Sequence, residues 1–145
     1  MSTPKPSWRI QGHIDEAKAN YDRYELMLEK PENVSWGAVF LFYAAIHLIQ
    51  ARAHQHTPED IPVDHEDRRD YVAHYLPANI AENYYTLDDV SMQVRYQLKG
   101  KTLAQVRALH DDHFAKIRRY LREQEGIAWQ SPNSAASSQQ GDVTP

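Results

Sequence analysis

The chain has 145 residues, with 16 Lys and Arg against 20 Asp and Glu, a formal net charge of −4, and no cysteine. This length suits one domain with one core, the missing cysteines exclude disulfides, thiolate zinc sites and cysteine nucleophiles, and the acidic balance argues against non-specific coating of duplex DNA by summed phosphate neutralisation, while leaving room for a local basic patch. No signal-peptide-like run opens the sequence, and the longest apolar run, Trp36 to Ile49, is too short to span a bilayer, so a cytoplasmic protein with no membrane segment is expected.

Five low-glycine segments read as helical. The first runs from about Ile10 to Lys30, where Ile14, Ala17, Tyr21, Tyr24 and Leu28 recur every three or four residues and line one face. Pro31 stops it. The second runs from about Ser35 to His56, with Asn33 or Ser35 as its cap. It is apolar all round, as a helix surrounded by other helices must be.

A loop with Pro58 and Pro62 leads to a third segment, about Asp64 to Leu76, capped by Asp64. Pro77 starts the fourth, which runs to Leu98 with Ile80, Tyr84, Leu87, Val94 and Leu98 as its stripe, a candidate break near Thr86, and Gly100 as C-terminal punctuation. The fifth starts at Thr102 and reaches Glu125, burying Leu103, Val106, Leu109, Phe114, Ile117 and Leu121. No strand and no repeat emerges. The expected fold is all-α, an antiparallel bundle of four to five helices over residues 8–125. Residues 126–145, small and polar after Trp129, are expected to be a disordered tail.

The pattern Trp-x-Ala-Val-x-x-Phe-Tyr-Ala-Ala-x-His from Trp36 to His47 is followed by His65-x-x-Arg68, Tyr84-x-x-Leu87 and Ser91-x-x-x-Arg95-Tyr96. In order and spacing this resembles the HEPN superfamily of helical domains, over about Ile14 to Leu121. The resemblance implies a bundle of four or five helices, often a homodimer, sometimes partnered by a nucleotidyltransferase or an antitoxin. It implies a task on RNA or a nucleotide with no metal cofactor. Many members are metal-independent endoribonucleases of toxin, defence or stress type with an Arg-x(4–6)-His motif; others are non-catalytic nucleotide- or protein-binding modules. Arg69 to His74 fits that motif with four intervening residues, and Arg68 fits it with five.

The chemistry needs such groups. Cleavage of RNA without a metal requires a base for the 2′-hydroxyl proton, an acid for the leaving oxygen and a cation on the crowded phosphate. Imidazole titrates near neutrality, and guanidinium offers a planar fork of donors to phosphate. The candidate catalytic residues are therefore Arg69, His74 and Arg68, and the candidate substrate-binding residues are His47, His65, Arg95 and Tyr96, with Tyr96 able to stack on a base. Residues five apart differ by about 140° around a helix. Arg69 and His74 thus need a bend near Leu76-Pro77, or a site shared across a two-fold dimer.

Each candidate has a structural alternative. Arg68 can pair with Glu66 or Asp70, Arg95 with Asp88 or Asp89, and His47 can be a satisfied core histidine. His110 and His113, three apart, could join His47 as metal ligands in the manner of DinB-like helical-bundle enzymes. Lys116, Arg118, Arg119 and Arg122 form a basic run that suits a phosphate track or a solvated face.

Overall fold

The structure, a computed structural model, describes residues 7–130 and is all-helical over that range. Helix α1 (Ser7–Met27) is joined through a 3₁₀ turn at Pro31–Asn33 to α2 (Val34–His56). Then come α3 (His65–Tyr75), α4 (Ala78–Gln97), α5 (Leu103–Leu109) and α6 (Ala115–Glu125), the last two linked by a π-helical turn at His110–Phe114. Helix α2 occupies the middle. Its most extensive contact is with α1, and it also touches α3, α4, α5 and α6.

The centrality of α2 follows from its composition. Ala38, Leu41, Ala44, Ala45, Leu48, Ile49, Ala51 and Ala53 are all fully buried, so most of the helix surface meets protein, while the stripe of Trp36, Phe40, Tyr43 and His47 is partly open. It is the one helix among the described residues long and apolar enough to cross a membrane, and 67 % of that window is buried inside the bundle. Gly37 sits where the chains crowd: a Cβ there would lie 3.2 Å from both Leu28 Cδ2 and Val106 Cγ1.

The local signals mostly act where the sequence puts them. Asp64 caps α3 by accepting from Asp67 N at 2.8 Å. Thr102 and Gln105 form a reciprocal capping box at α5. Asn33 is the residue before α2, but its side chain makes no capping bond. Ser35 instead accepts from Lys101 N at 2.7 Å and pins the α4–α5 loop.

Four expectations need correction. The fourth segment has no break at Thr86; α4 is continuous. It runs to Gln97, close to the expected end, but its left-handed cap is Leu98 and not Gly100: Leu98 takes φ 54° and is 87 % exposed, so it leaves the stripe that Ile80, Tyr84, Leu87 and Val94 complete. The fifth segment is not one regular helix. Leu109 and Phe114 are five residues apart, which on a straight α-helix would rotate Phe114 off the buried face. The π turn absorbs one residue and returns Phe114 to the core, fully buried.

The expected tail also starts too early. Ile127 is fully buried, and Trp129 packs on Tyr21 and Phe114 while Arg118 lies 4.0 Å over its ring. Residues 131–145 lie outside the described residues.

Candidate functional site

Helices α3 and α4 each bring particular polar groups inward. On α3, His65, Arg68 and Val72 share a face, and Arg69 stands one turn from His65. On α4, Tyr84, Asp88, Ser91 and Arg95 follow one another at four, three and four residues, a single stripe. Tyr84, Asp88 and Ser91 are fully buried. Three polar side chains at such depth in a small bundle must be held by specific neighbours or by a ligand.

Between these faces and α2 lies a cavity of about 350 Å³ lined by Phe42, Tyr43, Ile46, His65, Arg68, Met92, Arg95 and Tyr96. Four of the candidate residues, His65, Arg68, Arg95 and Tyr96, thus converge. The aromatic wall from α2, Phe42 and Tyr43, has no counterpart among them. Arg95 stacks against that wall, its guanidinium carbon 5.7 Å from the Tyr43 ring centroid, 5.9 Å from Phe42 and 4.9 Å from Tyr96.

Neither arginine is neutralised. Among the described residues no carboxylate lies within ion-pair distance of Arg68 or Arg95, and the buried Nε of each has no hydrogen-bond acceptor. The pairing of Arg68 with Glu66 or Asp70, and of Arg95 with Asp88 or Asp89, is therefore not what the fold adopts. A buried N–H without an acceptor costs roughly 1–3 kcal/mol, and more when charged. Two such cations on one cavity favour an anion between them.

Asp88 is instead the partner of α3's other groups. Its Oδ2 accepts from Arg69 and lies 3.1 Å from His65 Nε2. Arg69 also approaches Asp89 at 3.7 Å and lies 4.6 Å over the Tyr85 ring. Burial works against the charge on Arg69, but the hydrogen bond and charge of Asp88 outweigh it and raise its pKa above the ordinary arginine value. Burial likewise pushes the Tyr84 phenol up to about 12, against the pull of the neighbouring Arg68. Asp88 was absent from the candidates. Its signal was a carboxylate one turn from both Tyr84 and Ser91, on the stripe that also carries Arg95.

The remaining candidates lie elsewhere. Arg69 is occupied by Asp88, and His74 is exposed on the far side of α3, about 180° from His65. His74 lines a different cavity, of about 490 Å³, with Asp60, Asp67 and Asp70. The bend at Leu76-Pro77 comes after His74: Leu76 is extended, as a residue before proline tends to be. The single chain therefore does not assemble Arg69 and His74 into one site. His47 also departs from the cleft. It faces α1, with its Nδ1 3.0 Å from His13 Nδ1.

The metal alternative is not assembled either. His47 meets His13, His110 bonds Tyr21 at 2.9 Å and Asp111 at 2.7 Å, and His113 bonds Asn83 at 2.9 Å. Among the described residues no three histidine or carboxylate side chains converge as a ligand set. Comparisons with family models, with curated proteins and with solved structures return no match.

Proposed function

We propose that this chain is a HEPN-like module that binds a phosphate-bearing ligand, RNA or a nucleotide, in the cleft between α2, α3 and α4. The observation that carries the reading is the pair Arg68 and Arg95, both without a carboxylate partner among the described residues, on a cavity walled by Phe42, Tyr43 and Tyr96. Guanidinium groups hold phosphate oxygens through parallel N–H donors. The half-exposed cleft gives a base an aromatic surface to stack on, with Tyr96, 70 % exposed, at its rim. A volume of about 350 Å³ falls in the range of small-ligand sites. A second copy, a nucleotidyltransferase or an antitoxin are the partners such a module would have.

The test is binding of a fluorescent single-stranded RNA and of AMP at fixed salt. Arg68→Ala and Arg95→Ala should each lose about tenfold in affinity, the value of one charge-assisted contact of roughly 1.4 kcal/mol or more. Full affinity in both variants would overturn the reading.

A second reading, metal-independent endoribonuclease, is favoured by one observation: His65 shares the cleft with the arginines and is oriented by the buried carboxylate of Asp88. That arrangement suits a general base. It supplies one imidazole where strand cleavage requires two proton transfers, which is why binding is the preferred conclusion. Cleavage of RNA that persists in EDTA and vanishes in His65→Ala would favour this second reading; cleavage that instead requires His74 would restore the original motif.

A further inference from the structure

The contact between α1 and α2 is the most extensive in the bundle, and one patch of it is built of imidazoles. His47 and His54 stand two turns apart on the same side of α2, and His13 of α1 lies between them. The His13 ring is 5.3 Å from each, centroid to centroid, and nearly parallel to His54 at 23°. The Nδ1 atoms of His13 and His47 face each other at 3.0 Å. Such a bond requires one nitrogen to donate and the other to accept. If both rings carry two protons, two N–H groups point at one another.

The surroundings sharpen this. From α1, Arg9 adds positive charge to His13 and His54, and Glu16 is the one opposing carboxylate among the described residues. From α3, Arg68 adds positive charge to His47. Trp8 and Gly12 complete a cavity of about 310 Å³ that brings solvent to the cluster. By contrast His56, His65 and His110 each have a carboxylate within 3.4 Å. Among the described residues, only the α1–α2 histidines have one another as partners, His113 being bonded to Asn83.

We propose that His13, His47 and His54 form an acid-responsive latch: protonation sets like charges against each other and undocks the N-terminal half of α1 from α2. Three ring systems meeting at the main helix–helix seam, with one carboxylate against two arginines, make the docked state dependent on neutral imidazoles. Burial, the first cause in every case, lowers the pKa of all three, and His13 falls from 6.5 to about 4. The docked pKa lies below the undocked one. The stabilising contribution is therefore complete above about pH 6.5 and is lost as pH falls toward 4.

Hydrogen exchange on the full chain, corrected for intrinsic rates, tests this at about pH 7 and about pH 5. Amides of residues 8–20 should lose protection on the order of tenfold beyond any change in α4, solvent screening of the partly exposed His13 and His47 allowed for. A His13→Gln/His47→Gln variant should keep its protection in acid, while His110→Gln behaves as the parent. Unchanged protection of α1 at about pH 5, or an equal loss in the double variant, overturns the latch. Should the double variant not fold, NMR titration of the parent's imidazoles decides: His13 and His47 must titrate below 6.5 together with the loss of α1 amide signals, and titration without that loss overturns it.

Discussion

Helix α3 borders two cavities of opposite character. At its start, His65 and Arg68 look into a cleft with Arg95 where neither arginine has a carboxylate partner among the described residues. At its end, His74 stands among Asp60, Asp67 and Asp70. Both cavities offer an imidazole, and only the first offers a phosphate a welcome. The sign of the charge lining each cavity decides this, because at an effective dielectric of about 20 two unit charges 4 Å apart would interact by about 4 kcal/mol. The three carboxylates that share His74's cavity repel the ligand that two guanidinium groups without a carboxylate partner among the described residues attract. A histidine's suitability for phosphate chemistry is thus set by its neighbours, not by the motif that contains it.

The largest effect expected from this contrast is in the arginines together. Arg68→Ala/Arg95→Ala should reduce RNA or AMP affinity by about a hundredfold, two charge-assisted contacts at roughly 1.4 kcal/mol each. Fluorescence anisotropy measures it, and the same variant should keep its helicity by circular dichroism. Next comes Asp88. Replacing it with Ala leaves Arg69 and His65 without the buried carboxylate they share. Urea unfolding should register a loss of about 2 kcal/mol, held below the roughly 3–5 kcal/mol of a fully buried pair because Arg69 is partly solvated.

The smallest effect belongs to the acidic cavity. His74→Ala should change ligand affinity by less than about twofold, and Asp67→Asn/Asp70→Asn should raise it slightly, by removing long-range repulsion that salt already screens. A large loss of affinity in His74→Ala would dissolve the contrast between the two ends of α3.

Much of this architecture was legible in the sequence. Asp64 and Thr102 announced helix starts through their capping chemistry, and the apolar run of α2 announced a central helix. The pattern His65-x-x-Arg68 and Ser91-x-x-x-Arg95-Tyr96 identified side chains that the fold does gather. Two kinds of information were missing. The first is direction. A helix that is apolar all round has no polar face to say which neighbour His47 meets, so its turn toward His13 could not be read from spacing. The second is pairing between helices. Arg69 lies one turn from His65 and shares its reach, but the carboxylate that binds both stands on α4, nineteen residues beyond Arg69.

The spacing of α5 and α6 carries one further signal. The five-residue step from Leu109 to Phe114 breaks a stripe otherwise spaced by three or four, and a single inserted residue is what a π turn accommodates. Leu98 is the opposite case. An apolar residue at the right spacing belonged to the stripe by pattern, yet the helix stopped there and put it in a left-handed cap. Periodicity describes a face only as far as the helix continues.

The most direct test follows the arginine side chains themselves. In ¹⁵N NMR spectra the Nε–H groups of Arg68 and Arg95, both buried and without an acceptor among the described residues, should shift on titration with AMP, while Arg69, already bonded to Asp88, stays in place. Shifts confined to the basic row of Lys116, Arg119 and Arg122, with Arg68 and Arg95 unmoved at saturation, would contradict the cleft as the binding site.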